Sequence, residues 1–149
     1  MEQKPLAAGP FTSGHRGVPH AADLRIEAWA DTREECVAEA VRALVNSFAE
    51  PAAQAGRRAV KRHVAAETDA DLVAAAIEEV IYGLDTRGEI PVAVAARRAA
   101  DGGIDLTLHL AGLEQVQITG AVPKAASLSG LRCGRDESGR WSCAVTVDV

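Results

Sequence analysis

The sequence is poor in aromatic residues and has no long hydrophobic run, and each shortage excludes a class of protein. Aromatic side chains make up 3% of the 149 residues, although 48% are hydrophobic, so we expect a core of small aliphatic side chains. No stretch approaches the roughly 20 apolar residues that a membrane-spanning helix needs. The N-terminus also lacks the basic and apolar segments of a secretory signal. We therefore expect a cytoplasmic protein that does not enter membranes.

Basic charge and closely spaced cysteines are scarce as well. The formal net charge of −5 argues against a broad basic surface for nucleic acid, so we expect any contact with RNA to run through a protein partner. The three cysteines, Cys36, Cys133 and Cys143, show no CxxC spacing, which disfavours a zinc site. We interpret them as reduced, buried small side chains, with Cys133 and Cys143 facing each other if the last two strands pair.

The chain is long enough for one domain with its own core. Residues 1–17 contain three glycines, two prolines and little periodicity, which predicts a flexible leader before a domain over residues 18–149. Alternating apolar residues predict strands over residues 24–30, 58–67, 90–97, 104–111, 116–120, 126–132 and 140–148.

Two amphipathic helices interrupt the strands. Thr32 followed by Glu35 forms a capping-box pattern, and the helix it begins should end near Pro51. Asp69 can cap a second helix that reaches Gly83, followed by a turn over residues 85–88. The order of elements predicts an α+β fold of two layers, with two helices packed on one face of a mixed, mainly antiparallel β-sheet.

The strongest functional signal lies at the end of the sequence. The last predicted strand runs into Asp148, and Val149 adds its α-carboxylate, so two hard oxygen donors sit on neighbouring residues. Asp23 lies just before the first predicted strand. If the first and last strands are neighbours, as chain termini often are, three carboxylates converge. They would repel one another unless a cation neutralises them.

Four motifs in this order resemble the archease family. They are the His20-Ala21-Ala22-Asp23 segment, the Leu84-Asp85-Thr86-Arg87-Gly88 turn, the Pro123-Lys124-Ala125-Ala126 stretch and the final Val147-Asp148-Val149. The resemblance covers residues 18–149. One departure is Ser127-Leu128-Ser129, where the family usually continues toward Thr-Tyr-His.

The resemblance implies both a site and a function. It assigns a divalent cation, calcium in the first place and manganese or magnesium as alternatives, to Asp23, Asp148 and Val149. It assigns His20, Asp85 and Lys124 to the surroundings of that cation or to contact with a partner. It further implies a chaperone-like activator of an RtcB-type tRNA-splicing RNA ligase, which promotes guanylylation and turnover of the ligase without being an enzyme itself.

Two other functions stay open at this level. Asp23 and Asp148 could hold the catalytic ion of a stand-alone phosphoester enzyme, with His20 or Lys124 as the general base. The chain could also be an interaction module whose acidic cluster is merely solvated. Stabilisation of the fold by added metal would distinguish a metal-binding function from this interaction module.

Overall fold

A computed structural model of the chain describes residues 12–19, 23–51 and 58–149. In these ranges the helices are α1 (Arg33–Asn46) and α2 (Asp69–Arg87), with a single 3-10 turn at Leu113–Gln115. The strands are β1 (Gly14–Pro19), β2 (Asp23–Ala30), β3 (Ala49–Pro51), β4 (Arg58–Val64), β5 (Glu89–Arg98), β6 (Ile104–Gly112), β7 (Val116–Ile118), β8 (Ala125–Arg135) and β9 (Trp141–Asp148).

The predicted α+β class with antiparallel strands is confirmed. The strands divide among three sheets, with the orders β1-β2-β9-β8, β4-β6-β5 and β3-β7, and every described pairing is antiparallel. The four-stranded sheet places β2, β9 and β8 side by side, which brings the start of β2 next to the end of β9. None of the helices in the described ranges combines the length and hydrophobicity that a bilayer crossing requires.

Both helices pack against strands of more than one sheet. α1 contacts β2 and β9 of the four-stranded sheet and β5 of the three-stranded sheet, and α2 contacts β8 and β5 in the same way. The core between them consists mainly of alanine, valine, leucine and isoleucine, with Phe48 as a fully buried aromatic residue. Small side chains allow these elements to approach closely, so the low aromatic content of the sequence is compatible with a continuous core.

The start of α1 is predicted correctly, but its end is not. The Thr32 hydroxyl accepts a hydrogen bond from the backbone N–H of Glu35 at 3.1 Å, as the capping pattern indicates. The helix ends at Asn46, before the predicted end near Pro51, and residues 49–51 form β3 instead. Pairing with β7 determines this strand, and such a long-range pairing leaves little trace in local periodicity.

α2 begins with a different cap and runs one turn further than predicted. Thr68, rather than Asp69, caps it by accepting a hydrogen bond from Asp71 N–H at 3.0 Å. Gly83 does not end the helix. Residues 85–87, predicted as a turn, belong to its last turn, and Gly88 ends it in the left-handed conformation with φ 63°. Glycine adopts this conformation without the penalty that a Cβ imposes.

The folded domain starts earlier than the predicted boundary at residue 18. Residues 14–17, assigned to the flexible leader, belong to β1 and pair with β2, whereas residues 1–11 lie outside the described ranges. Glycine is a weak strand former, which hides this strand from sequence patterns. The absence of a side chain at Gly14 leaves room for the Trp29 indole, because a Cβ at Gly14 would lie 2.6 Å from Cζ2 of Trp29.

Candidate functional site

The predicted cation site lies where β2 begins and β9 ends. Asp23 is directly opposite Asp148 in the antiparallel register, and Val149 follows Asp148 in the sequence. Directly opposed residues point to the same face of a sheet, with Cβ atoms about 4.5–5.5 Å apart. The prediction that these two strands are neighbours and bring the two aspartates together is therefore confirmed.

The two opposed carboxylates have different environments. Asp148 is exposed, whereas Oδ1 of Asp23 is buried and has no hydrogen-bond partner among the described residues. A buried carboxylate oxygen without a partner is costly, and like charges directly opposed in a sheet add a further penalty. A divalent cation would remove both penalties, so this pair fits a hard cation that prefers oxygen ligands.

Basic residues on the same face of β2 are engaged elsewhere. Arg25 directs Nη1 to Oγ1 of Thr146 at 3.4 Å, and its Nε lies 3.6 Å from Oε2 of Glu27. Burial of Glu27 opposes its ionisation, but a hydrogen bond from Arg16 and the charges of Arg16 and Arg25 outweigh burial and lower the pKa of Glu27. These contacts form a row of paired charges along the strand, and among the described residues the row does not reach the aspartate pair.

The start of β8 completes this edge of the sheet. The backbone N–H of Lys124 donates to the carbonyl oxygen of Asp148 at 2.8 Å, and Ala125 is opposite Asp148 in the register of β8 and β9. The Lys124 side chain is exposed. The Lys124 stretch, which the sequence grouped with Asp148 only by resemblance, therefore lies beside it in space.

Sequence reasoning missed Glu78 of α2. Its Oε2 accepts a hydrogen bond from the backbone N–H of Ala126 at 2.8 Å, which links the exposed side of the helix to the start of strand β8. Glu78 is an exposed acidic residue on the polar side of an amphipathic helix. No local pattern distinguishes it from its neighbours, because its role depends on the packing of β8 across α2.

The resemblance also assigns His20 and Asp85 to the surroundings of this site. His20 lies outside the described residues. Asp85 is exposed on the last turn of α2, and among the described contacts it makes no ion pair with this edge.

Within residues 12–19, 23–51 and 58–149, no three His, Cys, Asp or Glu side chains are arranged to hold a metal. The predicted ligand set is the side chains of Asp23 and Asp148 together with the Val149 carboxylate. Such a set supplies only part of the six to eight oxygens that calcium takes.

Comparisons with known proteins identify the family to which the chain is similar. Residues 15–149 match the model of the Archease protein family. Two curated proteins named "Probable protein archease", from the Mycobacterium tuberculosis strains CDC 1551 / Oshkosh and ATCC 25618 / H37Rv, are each 48% identical over 138 residues, which is 93% of this chain and 76% of theirs.

A solved structure shares the fold. The solution structure of Methanobacterium thermoautotrophicum protein 1598 superposes with a TM-score of 0.62 at 21% identity, covering 91% of this chain and 99% of that one. At that identity the likeness concerns the fold alone. The family assignment follows from the family model and from the two curated relatives, and the chain belongs to the archease family.

Proposed function

We propose that this chain is a metal-binding accessory protein that activates an RtcB-type RNA ligase in the cytoplasm. Membership of the archease family supports this role. The ligase would supply the chemistry of RNA joining, and this chain would promote guanylylation and turnover of the ligase. RNA would be contacted through the ligase, in keeping with the net charge of −5.

The observation that carries the metal-binding part is the opposition of Asp23 and Asp148 with an unpartnered, buried Asp23 Oδ1. We propose that these two side chains and the Val149 carboxylate hold the cation, with calcium favoured because all donors are hard oxygens. The bound cation would supply charge neutralisation and open coordination positions for water or for ligands from the partner. The nearby Lys124 backbone and Glu78 would fix β8 against this edge.

The direct test is a ligation assay with the cognate ligase. Adding the chain should increase the guanylylated fraction of the ligase and the number of products per ligase molecule. Asp23→Asn and Asp148→Asn should each reduce the stimulation, because each removes one anionic ligand. Glu67→Gln is a matched control, since it removes an exposed carboxylate between β4 and α2 and should leave stimulation unchanged.

Three outcomes would contradict the proposal. An active ligase that shows no stimulation at saturating concentrations of this chain would remove the accessory role. Full stimulation by both aspartate variants in the presence of a chelator would show that the accessory role does not require the metal. Turnover of phosphoester substrates by this chain alone, dependent on divalent ions, would favour the stand-alone enzyme instead.

A further inference from the structure

The three cysteines come together in space although they are far apart in sequence. Cys36 lies in the first turns of α1, Cys133 near the end of β8 and Cys143 near the start of β9. Cys133 and Cys143 are directly opposed in the register of these two strands. The expectation that they face each other is confirmed, and the approach of Cys36 from the helix is an addition that the sequence did not reveal.

The thiols are in contact. The Sγ atoms of Cys36 and Cys143 are 3.5 Å apart, and Cys36 Sγ also lies 3.5 Å from the carbonyl oxygen of Ala28. Cys133 lies beside this pair, because it is directly opposite Cys143 in the register of β8 and β9. Cys36 and Cys143 are fully buried, whereas Cys133 is only partly buried. Cys133 is thus the member of the cluster that a small solute can reach.

The pKa of the Cys133 thiol is shifted downward, whereas the pKa values of the other two thiols are shifted upward. Hydrogen bonds from Cys143 and Cys36 lower the pKa of the Cys133 thiol to about 4, with a smaller contribution from the charge of Arg33 and opposition from burial and Asp69. The reverse effect of Cys133 raises the pKa of Cys36 to about 12, and the pKa of Cys143 well above its ordinary value. A thiolate beside two protonated thiols is the arrangement of a nucleophile with a resolving partner.

We propose that Cys133 reacts with hydroperoxides and that Cys143 then converts it to a reversible disulfide across β8 and β9. In the first step Cys133 sulfur attacks one peroxide oxygen. An S–O bond forms and the O–O bond breaks, so that the sulfur is oxidised to a sulfenic acid and the peroxide is reduced to hydroxide or alkoxide. In the second step Cys143 sulfur attacks Cys133 sulfur. The S–S bond forms, the S–O bond breaks, and the hydroxyl leaves with the Cys143 proton as water.

The register favours Cys143 over Cys36 as the partner of Cys133. Opposed residues of an antiparallel pair have Cα atoms about 4.5–5.5 Å apart, which lies within the roughly 4.4–6.8 Å that disulfides span. Cys36 lies on a helix that packs against the sheet, so no strand register sets its distance from Cys133. The cluster is also separate from the aspartate pair, because Cys143 precedes Asp148 by five positions along the same strand.

Tryptic peptides of the full chain report the pairing without ambiguity. After treatment with hydrogen peroxide, alkylation of remaining thiols and digestion without reductant, Cys133 falls in peptide 133–135, Cys143 in peptide 141–149 and Cys36 in peptide 34–42. We expect peptides 133–135 and 141–149 to be joined, with Cys36 alkylated, and dithiothreitol to separate them. The rate of loss of Cys133 thiol should exceed that of glutathione by about tenfold at pH 7, where an ordinary thiol is only about 3% ionised.

Three variants make the test decisive. Cys36→Ala should still form the disulfide, Cys143→Ala should leave Cys133 as a trappable sulfenic acid, and Cys133→Ala should abolish fast oxidation. Cys133→Ala truncates the least buried of the three side chains, so it is the variant least prone to misfold, and circular dichroism would verify its fold. The proposal is overturned by a disulfide that contains Cys36, by oxidation of Cys133 only to sulfinic or sulfonic acid, or by a rate no higher than that of glutathione.

Discussion

Asp23 and Asp148 are directly opposed in the register of β2 and β9, and the buried Oδ1 of Asp23 has no hydrogen-bond partner among the described residues. Two like charges at opposed positions destabilise a sheet by roughly 0.2–1 kcal/mol, and an unpartnered buried oxygen adds to that cost. The pair therefore destabilises the metal-free fold, and a bound cation would turn it into a stabilising contact.

The first prediction is that Asp148→Asn changes stability in opposite directions with and without calcium. In chelator the variant should be more stable than the wild type by about 0.2–1 kcal/mol, because the repulsion across the strands is gone. With calcium at about 100 times its dissociation constant, the wild type should gain about 2.7 kcal/mol and the variant little. Urea unfolding of the wild type and of Asp148→Asn, each in chelator and in calcium, measures the four free energies of unfolding. Glu67→Gln should follow the wild type in both, and a variant that gains as much from calcium as the wild type would contradict the assignment.

The second prediction concerns the Val149 carboxylate. A short Gly-Ser extension after Val149 replaces this carboxylate by a neutral amide, and calcium affinity should fall at least about tenfold, equivalent to about 1.4 kcal/mol. The unfolding curve in chelator should not move, because Asp148 and Val149 are not part of the buried apolar core. Calorimetric titration with calcium provides the measurement.

The matched control for the extension is Val149→Ala, which trims the side chain and keeps the carboxylate. It should bind calcium as the wild type does. Equal calcium affinity for the extended and the unextended chain would show that the carboxylate is not a ligand, while leaving the aspartate pair to be judged by its own variants.

The features that local patterns encode were predictable from the sequence. The capping residue Thr32 and the adjacency of Asp23 and Asp148 follow from capping chemistry and from the expectation that strands near the two ends of a domain are neighbours. Each depends on a few neighbouring residues or on one general rule of topology.

The features that depend on tertiary packing were not predictable. β1 exists because β2 offers it an edge, and Gly14 fits there because the Trp29 indole occupies the space of a side chain. Glu78 joins the site only because β8 crosses α2, and Cys36 reaches Cys143 only because α1 packs on the sheet. In each case two segments that are distant in sequence supply the deciding contact.

The third prediction is that Arg33 stabilises the fold by joining the starts of α1 and α2 to the turn between β5 and β6. Arg33 is buried, donates to the carbonyl oxygens of Gly102 at 2.8 Å and Gly103 at 3.2 Å, and pairs with Asp69 at 3.0 Å. Arg33→Ala would remove the donor to the Gly102 carbonyl and to Asp69, and one of the two donors to the Gly103 carbonyl, so it should cost about 2–4 kcal/mol of unfolding free energy.

Arg33→Lys separates charge from geometry in the same experiment. Lysine keeps the positive charge but cannot present the planar fork that reaches both carbonyls and Asp69. It should recover less than half of the loss in chemical denaturation. Full recovery by lysine would show that charge alone matters and that the hydrogen bonds to the 101–103 turn contribute little.

The last prediction is a pH dependence centred on His63. Its Nδ1 lies 2.9 Å from Oδ1 of Asp105 on the neighbouring strand, and its Nε2 lies 2.8 Å from Oδ2 of Asp101 in the turn. Hydrogen bonds and charge from Asp105 and then Asp101 raise the pKa of His63 above its ordinary value of 6.5. Because the folded-state pKa is the higher one, the ion pairs stabilise the fold fully below about pH 6.5, and the stabilisation is lost as the pH rises through the raised value.

His63→Gln should therefore be less stable than the wild type at pH 5.5 and equal to it at pH 8.5, as measured by urea unfolding across this range. The difference at pH 5.5 should shrink in 1 M salt, because all three side chains are about half exposed and their charges are screened. His109→Gln on β6, which forms no ion pair among the described residues, is the matched control and should show no pH-dependent difference of this kind. Parallel stability curves for the wild type and His63→Gln from pH 5.5 to 8.5 would mean that the paired carboxylates do not favour protonated His63 in the folded state.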